Sequence, residues 1–154
     1  MSEGWSLLRK RRREMDVRAR EMSCWVGVYM ATIHAWESGR QMPHVSKLRG
    51  IADGYKLPIE QVVAMWYEGR TGRRLKIKPV SGIDAYTLRH WATAEYESTR
   101  AIAKAGGVEP YVVYRWLTGE YMPEDMRPLV CAFGRSEEET LMACYMAWEG
   151  WHSK

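Results

Sequence analysis

Apolar residues recur every three or four positions over most of the chain, which is the period of an amphipathic helix. Leu7, Leu8 and Met15 predict a first helix over 7–15, with the run Arg9-Lys10-Arg11-Arg12-Arg13 on its wet side. Residues 1–6 read as a short polar lead containing Trp5. Met22 and Val26, four apart, give the inner face of a second helix over 18–25. Gly27 closes it, as the residue that best tolerates a left-handed turn. Val28 plugs the turn, and Ile33 and Trp36 mark the core face of a third helix over 29–38, closed by Gly39. Met42-Pro43 makes a bend. Val45, Leu48, Ile51 and Ala52 predict a fourth helix over 45–53, ended by Gly54. Pro58 suits the first turn of a fifth, which carries Ile59, Val62, Val63 and Trp66. Five more helices follow the same scheme near 84–94, 98–105, 110–117, 124–133 and 136–149. Asp84 and Ser136 are candidate N-caps, and Ser136 with Glu139 fits a capping box. Leu75 and Ile77 alternate with Lys76 and Lys78, enough for a short extended piece. No strand pattern occurs elsewhere, so the fold expected is all-α.

The stretch from Val17 to Gly39 returns, without gaps, eighty residues later, from Glu97 to Gly119. Gly27-Val28 meets Gly107-Val108, Trp36 meets Trp116, Gly39 meets Gly119, and Met42-Pro43 meets Met122-Pro123. Beyond that core, Leu8 meets Leu88, Ala52 meets Ala132 and Gly54 meets Gly134. So many matches in one register indicate an internal duplication. Two tandem five-helix domains are expected: residues 1–67, a basic linker over 68–82, and residues 83–154. The linker holds Gly69, Gly72, Gly82 and Pro79 among Arg70, Arg73, Arg74, Lys76 and Lys78.

Charge makes the two halves unequal. Through residue 80 there are sixteen Lys and Arg against eight Asp and Glu, a net +8; from residue 81 there are seven against eleven, a net −4. The first half suits a polyanion and the second does not. With 46% hydrophobic and 27% charged residues the composition is ordinary for a globular chain. We have no physical account of the eight Trp against one Phe. No apolar run approaches the roughly 20 residues of a membrane span. The Arg run interrupts any secretory h-region at the N-terminus. Cys24, Cys131 and Cys144 are odd in number and lack CxxC spacing, as expected of structural thiols in a reducing cytoplasm.

At the Gly-Val turn flanked by two helices, the chain resembles the Cro/C1-type (XRE) helix-turn-helix repressor family, whose members have five-helix DNA-binding domains. The small residue of helix two is Ser23, and Ala103 in the second copy. The turn glycines are Gly27 and Gly107. The aliphatic residues of helix three are Ile33 and Val113, and Trp36-Glu37 stands near the end of that helix, followed by Gly39 and Pro43. The resemblance covers about residues 7–67 well and 84–148 moderately. It implies a partly buried ion pair between Arg12 and Glu37. Ala92 and Leu117 stand at the corresponding positions of the second copy, so both partners are replaced together. Losing one partner of such a pair costs about 3–5 kcal/mol, whereas replacing both by apolar groups can be neutral.

The resemblance further implies that the third helix enters the major groove of double-stranded DNA. The positions facing base edges are then Tyr29, Met30, Ala31, Thr32, His34 and Ala35. They are poor in the Arg, Gln and Asn of bidentate readout, and Ala19 stands where the family often has Gln. Met30 or Ala31 can contact thymine methyls, with Thr32 and His34 as polar partners. Arg18, Arg20, Arg40, Gln41, His44 and Lys47 are the expected backbone contacts. The linker's Arg73, Arg74 and Lys76 are candidates for an arm in the adjacent minor groove. The second copy presents Glu109, Pro110, Tyr111, Val112, Tyr114 and Arg115 at the corresponding positions. With its negative charge it is expected to serve dimerisation or partner binding, as a homodimer contact through residues 83–154 involving Tyr111, Tyr114, Tyr121, Met122 and the Trp148/Trp151 tail.

Nothing points to catalysis. His34, His44, His90 and His152 are scattered without metal-ligand spacing. Gly106-Gly107 is a turn, not a nucleotide fingerprint, and Glu137–Glu139 look like an acidic helix start that complements the macrodipole. No enzyme, metal, cofactor, small-molecule ligand or membrane association is expected. The function expected is a sequence-specific transcriptional regulator of phage or mobile-element style, probed against two rivals: a protein-binding antiactivator that keeps the fold without base readout, and a nonspecific nucleoid binder. A cytoplasmic, nucleoid-associated location goes with the DNA readings.

Overall fold

The structure, a computed structural model, describes residues 3–78 and 82–153, without the side chain of Glu3. Among these residues it is all-helical, with no strand. The order is α1 (Glu3–Glu14), α2 (Ala19–Val26), α3 (Met30–Glu37), a 3-10 turn (Val45–Lys47), α4 (Leu48–Tyr55) and α5 (Ile59–Thr71), then α6 (Thr87–Glu95), α7 (Thr99–Gly106), α8 (Pro110–Thr118), α9 (Arg127–Phe133) and α10 (Glu137–His152). The chain divides into two compact units, Met1–Lys76 and Ile77–Lys154.

In the first unit α1 packs on α3 and α4, α2 packs on α3 and α4, and α4 packs on α5. Trp5, Leu8, Met22, Ile33, Leu48, Ile51 and Tyr55 are fully buried. The polar lead expected before the first helix is not one, in its described part. The helix begins at Glu3, and Trp5 is wholly inside the core. Trp5, Leu8 and Arg12 follow the i, i+3, i+7 spacing of a single face, whereas Leu7 points outward and is exposed.

Gly54 also differs from expectation. It does not end α4 but lies inside it, and the left-handed residue beyond the helix is Lys56 (φ 53°). A Cβ on Gly54 would stand 3.0 Å from Val26 Cγ2 and 3.1 Å from Met22 Sδ. The glycine is there because α2 crosses α4 closely. The two extra residues of α4 carry Tyr55 into the core. α5 likewise continues past residue 67 to Thr71, so Glu68–Thr71 are helical and the irregular connection begins at Gly72 (φ 75°). Residues 73–78 form no strand. Residues 79–81 of the expected linker lie outside the described residues.

In the second unit α7 packs on α8 and α9, and α10 packs on α6, α8 and α9. Thr140 to Tyr145 are six consecutive buried residues of α10. A helix covered on all sides is a central one. The Ser136 hydroxyl caps it by accepting from Glu139 N (3.1 Å). Asp84 does not cap α6 directly; its Oδ1 accepts from Tyr86 N (2.8 Å) one turn earlier, and Tyr86 is the N-cap.

Candidate nucleic-acid interface

The first unit's candidate interface rests on the joint between α2 and α3. Gly27 takes φ 81°, ψ 38°, and its N–H donates to the Ser23 carbonyl at 2.9 Å. Val28 N donates to the same carbonyl at 3.0 Å. The turn therefore satisfies the end of α2 and launches α3 at a fixed angle. Ala19, Met22 and Ser23 of α2 face inward, as do Ile33, Trp36 and Glu37 of α3. A matching joint occurs eighty residues on: Gly107 takes φ 71°, ψ 33°, and Val108 N donates to the Ala103 carbonyl at 3.0 Å.

Beneath α3 lies a polar cluster that sets its position against α1. Arg12 Nε and Nη2 donate to Glu37 Oε2 and Oε1 at 2.8 and 2.9 Å. The Tyr55 hydroxyl donates to Glu37 Oε2 at 2.9 Å, and Arg9 Nε lies 3.7 Å from Oε1. Arg12 Nη1 also donates to the Val17 carbonyl at 3.0 Å. The Glu37 side chain is wholly inaccessible to solvent. Burial pushes its carboxyl up, but the hydrogen bonds from Arg12 and Tyr55 and the charges of Arg12 and Arg9 outweigh that and hold it below its ordinary value. The hydrogen bond to Glu37 raises Arg12, and burial raises Tyr55. The expected ion pair is present, with Tyr55 as a third member.

The basic run of α1 is thereby largely accounted for. Arg12 is in the cluster, and Arg9 reaches its edge. Arg11 Nε and Nη2 donate to the Tyr55 and Lys56 carbonyls (3.0 and 3.3 Å), capping the end of α4. Only Lys10 and Arg13 of the run remain exposed without a bond of this kind. Neither a solvated face nor a phosphate patch describes Arg11 and Arg12, which are structural.

The outward residues of the joint are those a groove would meet. Tyr29, at the N-cap of α3, is 85% exposed; Met30 and Ala31 follow it and are exposed, while Thr32, His34 and Ala35 are half-buried. Arg18 stands at the N-cap of α2 and Arg20 in its first turn, both exposed. Arg40 and Gln41 are exposed just after α3. Arg40 Nε donates to the Ser38 hydroxyl (3.2 Å). His44 caps the 3-10 turn, its Nδ1 accepting from Ser46 N at 3.1 Å, and Lys47 ends that turn half-buried. Arg73, Arg74 and Lys76 are exposed beyond α5. Arg74 Nε is drawn to Glu68 Oε1 at 3.2 Å. Trp25, near the end of α2, escaped sequence reasoning. It is 55% exposed beside the joint, and a large aromatic at the very end of an inferred core helix was the available signal.

On the second unit, the corresponding surface is aromatic. Tyr111, Tyr114 and Tyr121 are exposed. The Arg115 guanidinium lies 5.3 Å from the Tyr111 ring and 4.9 Å from the Tyr121 ring, with Glu120 3.9 Å away. Arg115 is thus covered by rings and a carboxylate.

Residues 6–65 match the family model described as a helix-turn-helix domain. The match spans α1 to α4 and half of α5. It supports a helix-turn-helix family for this segment, and such a domain suggests a DNA-binding regulator. No curated protein and no solved structure gives a significant match. Among the described residues no helix is long and apolar enough to cross a membrane, and no group of His, Cys, Asp and Glu could hold a metal ion.

Proposed function

We propose that the chain is a sequence-specific transcriptional regulator of the Cro/C1 (XRE) type, a repressor of phage or mobile-element style that occupies operator DNA. In this reading residues 1–67 form one helix-turn-helix domain and residues 83–154 a second, joined by a basic linker. The first places α3 in the major groove. The observation that carries it is the α2–Gly27–α3 joint, held from below by Arg12–Glu37–Tyr55, with exposed cations at both ends. Arg18, Arg20, Arg40, Gln41, His44 and Lys47 contact phosphates, and Tyr29, Met30, Thr32 and His34 meet base edges. Arg73, Arg74 and Lys76 supply a basic arm to the adjacent minor groove. The second domain, with its Tyr111–Arg115–Tyr121 stack, serves to pair two chains, so that two first domains meet an inverted repeat.

A gel shift with the DNA upstream of the protein's own gene tests this. Retardation that survives excess unrelated DNA is expected. Arg18→Ala with Arg20→Ala should weaken binding and reduce the slope of log affinity against log salt by roughly 2, about one per lost phosphate contact. An unchanged slope would reject the phosphate assignment, and a complex lost to any competitor would reject sequence specificity. One observation favours a second reading, a protein-binding antiactivator: the outward face of the joint combines Trp25, Tyr29 and Met30 with two alanines. Absence of any shift at low salt would select it.

A further inference from the structure

In the second unit α6, α7 and α8 surround a cavity of about 400 Å³ that opens to solvent. Its floor is apolar and consists of Ala92, Ile102 and Leu117, all buried. The position of this cavity has a physical cause. Eighty residues earlier, Arg12 and Glu37 fill the space between the first and third helices with a guanidinium and a carboxylate. Ala92 and Leu117 stand in their places. Leucine replaces most of a glutamate's volume, but alanine replaces little of an arginine's. The cavity lies where that side chain would have been.

We propose that this cavity is a binding site for a small neutral amphipathic molecule, with an aromatic or branched apolar body and one hydroxyl or amide group. Its volume falls at the low end of the 300–1,000 Å³ typical of small-molecule sites, which sets the size of the body. The charge of the lining sets the class. Arg89 and Glu97 contribute one charge of each sign. Arg89 already spends Nε and Nη2 on the Leu117 and Thr118 carbonyls, both at 3.3 Å. An anion therefore meets a cation that already spends two of its five donors on backbone carbonyls, and a carboxylate that repels it, in a half of the chain carrying a net −4. A cation lacks the buried carboxylate that Glu37 supplies in the first unit. A neutral ligand encounters neither cost. The exposed Thr93 hydroxyl, which donates to the Arg89 carbonyl at 3.1 Å, keeps lone pairs for a ligand hydroxyl or amide. Such a ligand touches three helices at once and so favours the folded second unit over its unfolded form. This inference is independent of DNA binding.

The test uses the full chain, labelled with ¹⁵N, titrated into the millimolar range with three separate probes: benzyl alcohol, benzoate and benzylamine. Saturable amide shifts centred on Ala92, Ile102 and Leu117 are expected with benzyl alcohol, and shifts at least several-fold weaker with the two ions. Amides around Arg12 and Glu37 should stay still. Ala92→Met, which fills the cavity with a flexible apolar chain, should abolish the response while leaving the spectrum dispersed. If that variant fails to fold, Leu117→Phe serves the same purpose. No saturable shift with any probe would overturn the site. So would the same shifts persisting in a folded cavity-filling variant. A stronger response to benzoate or benzylamine would overturn the neutral ligand class.

Discussion

Where α1, α3 and α4 meet, the first unit buries Arg12, Glu37 and Tyr55 in one hydrogen-bonded cluster. Eighty residues on, the same positions hold Ala92, Leu117 and Arg135. The first two are buried. Arg135 is not drawn into their place; it bonds Glu95 Oε1 at 3.0 Å and lies 4.3 Å from the Trp91 ring. Trp91 in turn meets Phe133 edge-on at 5.9 Å, and Phe133 meets Tyr96 at 6.0 Å. One unit solves the junction with a satisfied polar network, the other with apolar side chains and an aromatic cluster. A buried network is favourable only when every member is present. The second unit, with neither the arginine nor the glutamate at these positions, leaves no buried charge there without its counterpart.

The largest expected effect lies at the end of α8, the third helix of the second unit. Gly39 and Gly119 are both left-handed, with φ 77° and 89°. A Cβ on Gly119 would stand 2.0 Å from the Ala147 carbonyl oxygen and 3.0 Å from Trp148 N, both backbone atoms of α10. Gly119→Ala therefore combines left-handed strain with overpacking against a helix that cannot step aside. We expect a loss on the order of 5 kcal/mol, comparable to the whole stability of a small domain. Urea unfolding followed by amide resonances of the second unit measures it. A cost below about 1 kcal/mol would show that α8 and α10 do not approach as closely as described.

Next comes the cluster itself. Glu37→Ala leaves the Arg12 charge and the Tyr55 hydroxyl buried without a partner, and should cost the first unit about 3–5 kcal/mol. Replacing all three groups, as Arg12→Met, Glu37→Leu and Tyr55→Phe, removes the orphaned groups and should recover most of that loss. The Val17 carbonyl would still lose its bond from Arg12. If the triple variant is as unstable as the single one, the cluster does not act as a unit. The comparison between the halves would then lose its basis.

Acid should separate the units by a smaller margin. The Glu37 carboxyl is held below its ordinary value of 4.5. Its contribution is fully present above that value and is lost as pH falls through the lower folded value, because protonation then favours the unfolded chain. Leu117 cannot titrate. Below about pH 4.5 the first unit should weaken, and Glu37→Leu combined with Arg12→Met and Tyr55→Phe should remove that part of the acid sensitivity. Urea midpoints at pH 7, 4.5 and 3.5 would reveal it. Equal acid sensitivity in the parent and the triple variant would assign the effect to other carboxylates.

These contrasts also mark what sequence could and could not convey. The helix-turn-helix was readable because a helical apolar period, a turn glycine and a matching stretch eighty residues away coincide. Arg12 and Glu37 were readable through the resemblance, and their bonds at 2.8 and 2.9 Å are present. Tyr55 was not, since a tyrosine on a helix carries no mark of its hydroxyl's partner. Arg11 was missed because its acceptors are backbone carbonyls, which any sequence provides. Gly54 and Gly134 align, yet Gly54 sits within α4 against α2, whereas Gly134 takes φ 65° and ends α9. A glycine marks either close approach or a left-handed turn, and spacing alone does not separate them. The cavity beside Ala92 was invisible for a related reason: a volume deficit belongs to several side chains at once.

The smallest expected effect bears on the joint from which both units are built. Gly27 and Gly107 take φ 81° and 71°, and a Cβ on either would meet nothing within 4 Å. Their role is conformational alone. Gly27→Ala should therefore cost only the left-handed penalty, about 1–2 kcal/mol, and Gly107→Ala about the same. Gly27→Asn should cost less, because a short polar side chain eases that backbone region. The two alanine variants, measured side by side by urea unfolding, form the control for Gly119→Ala. All three impose similar backbone strain, and only one adds a collision. If Gly27→Ala matched the loss at Gly119, backbone strain would account for both, and the close packing of α8 on α10 would explain nothing further. If the losses separate by several kcal/mol, the second unit depends on that contact for its integrity, while the first tolerates change at the turn that aims α3.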